Sequence, residues 1–197
     1  GNLERALKNF KQALVLKPDY DEVHNNLGNV LKDLGRFEEA VGYYRQALKF
    51  KPDYAEAYNN LATVLNITGK FEGAISAFNQ ALKIKPDYAR AYHNLGNLFF
   101  DLGRYSEAIS NYKKALALEP NSCELLINFA IALRETGRNE DALIHSTKAV
   151  EIRPDYAEAH NNLGTALATM GNYDAAVSSF SKALELKPDY AATHSNL

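Results

Sequence analysis

Asn26, Asn60, Asn94, Asn128, Asn162 and Asn196 recur along the chain, each eight residues beyond a proline. A primary amide offers both donor and acceptor, so one asparagine can pair at once with the N–H and the C=O of an extended backbone. A row of such amides would grip a peptide without asking for particular side chains. Asparagine is also a mediocre helix residue, costing about 0.5–0.7 kcal/mol against Ala. Duplication alone would copy it, but duplication copied the neighbours too, and those drifted. Asn25, Asn59, His93, Ile127, Asn161 and Ser195 precede the six, while Asn29, Thr63, Asn97, Ile131 and Thr165 lie one step further along the same face. Persistence against that drift favours a functional reading. The expected contact set is Asn26, Asn60, Asn94, Asn128 and Asn162, with Asn25, Asn59, Asn29, Asn97 and His93 beside them.

Other chemistry is absent from the pattern. His24, His160 and His194 are separated by multiples of 34 residues, unlike metal ligands on one helix face, and read as packing residues. His145 has no evident partner in sequence. Cys123 is the single cysteine, so no intrachain disulfide can form; without a Cys/His signature nearby it reads as an inert thiol. One cysteine also leans the reading towards the reducing cytosol. The glycines come singly, which gives no phosphate-cradling loop, and Glu38-Glu39 reads as a solvated helix edge. No nucleophile, base and oxyanion set assembles. We therefore expect no catalytic residues, no metal and no cofactor.

The 197 residues are 46% hydrophobic and 23% charged, with net charge −2. That charge offers no basic excess for phosphate neutralisation, which argues against nucleic acid. No apolar run approaches the roughly 20 residues of a membrane helix.

The elements that must carry the asparagines follow from one period. Pro18, Pro52, Pro86, Pro120, Pro154 and Pro188 are 34 residues apart, and Gly1, Gly35, Gly69, Gly103, Gly137 and Gly171 share that spacing, as do the alanines from Ala6 to Ala176 and from Ala13 to Ala183. After Pro52, Ala57, Tyr58, Leu61, Ala62, Val64 and Leu65 recur at helical steps. Gly69 then supplies a left-handed helix end. A second helical run, Phe71 to Ile84, stops at Pro86. Small residues (Gly28, Ala62, Gly96, Ala130, Gly164) on the leading helices face bulky ones (Tyr44, Phe78, Tyr112, Phe180) on the second helices, as close helix packing requires. One hairpin cannot bury both faces, so units must stack.

Leu27-Gly28, Leu61-Ala62, Leu95-Gly96 and Leu163-Gly164, with Ala-x3-aromatic and the closing proline, closely resemble the tetratricopeptide-repeat signature over the whole chain. The usual opening Trp is replaced by His24, Tyr58, Tyr92, Leu126 or His160. The resemblance implies an all-α, right-handed superhelix of antiparallel hairpins that binds protein rather than catalysing a reaction, with leading helices lining its concave surface. The frame is one second-type helix (1–20), complete units 21–54, 55–88, 89–122, 123–156 and 157–190, and the start of another at 191–197. Raw ends of this kind are expected to associate head to tail, one chain continuing the next.

In its asparagine series the chain also resembles the repeat arm of O-GlcNAc transferases. That resemblance implies a backbone-clamping role for the six asparagines and leaves open a substrate-recruiting arm of such an enzyme beside a plain adaptor or a self-assembling spacer. The expected partner is an extended peptide. Glu22, Glu56, Glu124 and Glu158, with Arg90 the lone cation at that position, would repel a terminal carboxylate. The fourth unit departs most: Asn121-Ser122 follows Pro120, and Asn139 and Ser146 replace aromatics. There Ile127, Ile131 and Phe100 are expected either to form an apolar pocket for one ligand side chain or to be drawn inwards by local repacking.

Overall fold

The computed structural model describes residues 2–196. Gly1 and Leu197, the first glycine of the series and the last residue of the 191–197 segment, lie outside the described residues. The described residues form helices α1 (Asn2–Leu16), α2 (Asp21–Asp33), α3 (Phe37–Phe50), α4 (Ala55–Ile67), α5 (Phe71–Ile84), α6 (Ala89–Asp101), α7 (Tyr105–Leu118), α8 (Cys123–Glu135), α9 (Asn139–Ile152), α10 (Ala157–Thr169), α11 (Tyr173–Leu186) and α12 (Ala191–His194). Leading helices of 13 residues alternate with second helices of 14. Two compact units divide the chain, residues 1–94 and 95–197, with the boundary inside α6. Within each, consecutive helices pack as hairpins.

Each hairpin turn is closed by a glycine that only glycine suits. Gly35, Gly69, Gly103, Gly137 and Gly171 all have φ between 71° and 80°. At the end of α2 the Gly35 amide donates to the Lys32 carbonyl and the Arg36 amide to the Leu31 carbonyl, at 2.9 and 2.8 Å. That double bond pattern satisfies the carbonyls a helix end leaves open.

The turns between hairpins carry a device of their own. Lys17, Lys51, Lys85, Arg153 and Lys187 each lie 4.2–5.1 Å from the ring centre of Tyr20, Tyr54, Tyr88, Tyr156 and Tyr190, three residues on. A cation over an aromatic face is attracted by the ring quadrupole, and here it brackets the proline turn. Where the leading-helix residue is histidine the turn gains a further tie. Nε2 of His24, His160 and His194 lies 2.8–2.9 Å from the carbonyl of Pro18, Pro154 and Pro188. A carbonyl only accepts, so Nε2 carries the proton and donates.

Inside each hairpin the small residues set the approach. A Cβ on Gly28 would sit 2.5 Å from the Tyr44 ring; on Gly96, 2.6 Å from Tyr112; on Gly164, 2.6 Å from Phe180. The rings themselves are almost fully buried. The fourth repeat differs: Ser146 and Ala130 are both buried, and Cys123, Leu126, Ile127 and Ala149 form an apolar cluster with Ala159 of the next repeat.

Candidate peptide-binding site

The leading helices carry the asparagines on faces that only partly reach solvent. Asn26 is exposed, Asn94 and Asn128 are half-buried, and Asn60 and Asn162 are buried at 7% and 6% exposure. Asn29 and Asn97 are half-buried, as is His93. Two expectations need correcting. Asn25 and Asn59 are 1% and 0% exposed, so no peptide touches them. Successive helix positions differ by only 100°, and in α4 and α10 both are covered, so the expected contacts Asn60 and Asn162 are likewise buried and already hydrogen-bonded within the protein.

What the buried amides do is hydrogen-bond between repeats. In residues 1–94 the Asn94 Nδ2 donates to Asn59 Oδ1 at 3.1 Å, Asn59 Nδ2 to Asn60 Oδ1 at 3.4 Å, and Asn60 Nδ2 to Asn25 Oδ1 at 3.1 Å. The donors all run the same way, so each bond polarises the next. The residue before the asparagine decides this pattern. Position 93 is His, and Asn128 Nδ2 donates to Asn97 Oδ1 at 3.2 Å. Position 127 is Ile, and Asn162 Nδ2 turns back to the Glu158 carbonyl of its own helix at 3.0 Å. Position 161 is Asn again, and Asn196 donates to Asn161 Oδ1 at 3.1 Å.

Ile127 is the second correction. It is 1% exposed and sits in the apolar cluster of the fourth repeat, so it lines no ligand pocket. Ile131 and Phe100 do line one: a hollow of about 260 Å³ in residues 95–197 is walled by Asn97, Phe100, Asp101, Tyr112, Asn128 and Ile131. Ile131 packs against the same cluster and also lines the hollow. Tyr112 donates its hydroxyl to Asn97 Oδ1 at 2.7 Å, as Tyr44 does to Asn29 at 2.8 Å. Burial, and then the Asp101 carboxylate, raise the Tyr112 pKa. Burial also raises that of Asp101 itself. The asparagine and tyrosine of this hollow were legible as a groove residue and a core aromatic; that they meet was not.

The remaining polar groups are structural in their contacts. Cys123 is buried, its Sγ lies 3.5 Å from the Ala149 carbonyl, and burial pushes its thiol pKa up. His145 packs against Phe129 with ring centres 4.7 Å apart, and burial pushes its pKa down. Glu39 is forked by Arg36 at 2.7 and 2.8 Å rather than simply solvated. Among the described residues no group of three His, Cys, Asp or Glu side chains is placed to hold a metal, and no helix is long and apolar enough to cross a membrane.

One tetratricopeptide-repeat profile matches residues 20–87, 53–121 and 87–155, a second matches 157–190, and a third repeat profile of the same kind matches 1–35. The chain belongs to the tetratricopeptide-repeat family. No curated protein matches it in sequence. Among solved structures, YrrB, described as a tetratricopeptide-repeat protein with an unusual peptide-binding site, is similar at 24% identity and a TM-score of 0.76, covering 94% of this chain and 96% of that one. A MamA protein matches at 24% identity and a TM-score of 0.75, with coverage of 87% and 93%. PilF of Pseudomonas aeruginosa matches at 21% identity and a TM-score of 0.86, with coverage of 99% and 89%. At these identities the likeness speaks for the fold alone. As a tetratricopeptide-repeat chain this protein is a helical scaffold of the kind consistent with protein–protein interaction.

Proposed function

We propose that the protein is a non-catalytic scaffold whose leading-helix faces bind an extended peptide through its backbone. The observation that carries this reading is the amide inventory. A primary amide has two N–H groups, and the bond between repeats spends one from the half-buried Asn94. Asn26 is exposed. Amides that are held in place and still keep a donor lose little freedom when a guest chain arrives, which favours binding. The acidic Glu22, Glu56, Glu124 and Glu158 on the same helices disfavour anionic guests. A peptide-binding site is also what the YrrB structure is described as having.

The bonded amides of residues 25, 59 and 60 favour a second reading, in which the series locks repeat to repeat and the protein is a spacer. One experiment separates the two. Random 12-residue peptides are passed over the immobilised protein and over a variant carrying Asn26→Ala, Asn94→Ala and Asn128→Ala. Retention by the parent, weakened by about 1 kcal/mol per lost amide in the variant, supports the binding reading. No retention by a folded parent leaves the spacer.

A further inference from the structure

The last turn of each leading helix ends in a pair of side chains that changes from repeat to repeat: Lys32-Asp33, Asn66-Ile67, Phe100-Asp101, Arg134-Glu135 and Ala168-Thr169. Where a carboxylate ends α2 or α8, a cation stands beside it. Lys32 Nζ is 3.4 Å from Asp33, and Arg134 is 3.8 Å from Glu135. On α6 the cation is replaced by Phe100, and Asp101 has no ion-pair partner among the described residues. The nearby Arg104 forks onto Glu107. Asp101 remains exposed overall, yet burial alone drives its raised pKa, with no cation pulling the other way.

The carboxylate opens onto the 260 Å³ hollow walled by Phe100, Tyr112, Ile131, Asn97 and Asn128. Phe100 is braced by Tyr105, ring centres 5.3 Å apart. Asn97 Oδ1 is already occupied by two donors, from Tyr112 and Asn128. That leaves Asp101 as the free anionic acceptor, set between aromatic and aliphatic walls.

We propose that this hollow is an anchor subsite for an arginine side chain of the bound peptide, an inference that rests on the peptide-binding reading above. A guanidinium is planar, weakly hydrated and forked, so it can lie against Phe100 while donating two parallel hydrogen bonds to Asp101. Lysine brings the charge but a compact, strongly hydrated head, and binds second best. The peptide thereby supplies the cation that Lys32 and Arg134 supply within the chain at the ends of α2 and α8.

The test uses fluorescence anisotropy with labelled 12-residue peptides of Gly, Ser, Ala and Gln around one central residue: Arg, Lys, or citrulline, which keeps the shape of arginine without its charge. The Arg peptide is expected to bind about tenfold tighter than the citrulline peptide, the ratio shrinking with added salt. Asp101→Asn brings the ratio close to one, whereas Asp33→Asn, with helicity equally intact, leaves it unchanged. Equal binding of Arg and citrulline peptides by the parent overturns the arginine subsite and leaves the backbone-binding reading standing. Failure of all three peptides to bind, under conditions where random peptides are also not retained, overturns both.

Discussion

Residues 1–94 and 95–197 fold from the same 34-residue pattern and spend their asparagines differently. In the first unit Asn94, Asn59, Asn60 and Asn25 form one continuous chain of amide bonds. In the second, Asn128 turns to Asn97 and Asn162 to its own helix. The difference traces to single residues: an Asn before the series position accepts from the next repeat, while Ile127 cannot. Ile127 packs instead in an apolar cluster with Cys123, Leu126, Ala149 and Ala159, and Ile131 and Phe100 line a hollow. In the proposed reading, that hollow is where a guest side chain, rather than its backbone, is recognised.

The comparison breaks most visibly at the aromatic slots. Tyr112→Ala should cost about 3–5 kcal/mol, as loss of a fully buried ring does, whereas Ser146→Ala in the repeat that already lacks the ring should cost less than about 1 kcal/mol. Native-state hydrogen exchange in α6–α9 resolves this locally, as repeat arrays require. Gly96→Ala comes next. Its Cβ meets the Tyr112 ring at 2.6 Å, so overpacking should cost about 1–3 kcal/mol; chemical denaturation with the same exchange readout measures it.

The amide chain can be both broken and extended. Asn59→Ala removes the acceptor of Asn94 and the donor to Asn60, and should cost about 1 kcal/mol for each partner left behind. Ile127→Asn should swing the Asn162 amide away from the Glu158 carbonyl, seen as a shifted side-chain NH2 resonance. The smallest effect is on pH. Burial holds the His145 pKa below its ordinary value of 6.5, so the unfolded chain takes up a proton first. The stabilisation is complete above pH 6.5 and is lost as pH falls through that value towards the folded pKa. Thermal unfolding should show it, and His145→Gln should remove that part of the slope.

The fold was legible because its determinants are local and repeat. Gly35 and its equivalents have positive φ as a helix end demands, and Gly28, Gly96 and Gly164 meet the rings expected of them. The Lys-Pro-Asp-Tyr turns, with their cation over the ring, were equally periodic and could have been read from Lys51 and Tyr54 alone. The site was less legible. Helical periodicity places Asn59 and Asn60 on one side of α4, but that both are covered is set by packing between hairpins, and no single helix carries that information. Ile127 was ambiguous for the same reason: apolarity suits a pocket wall and a core equally, and its position is buried whatever residue stands there, as Asn25 and Asn59 show.

The central claim is that the guest is held by its backbone. It is tested most directly with a peptide retained from the random library, resynthesised with single backbone amides replaced by esters and measured by isothermal titration. Periodic losses of about 1 kcal/mol at particular ester positions, unchanged when neighbouring side chains other than the arginine are swapped, are the predicted result. Ester substitution without effect along the whole peptide would contradict the account.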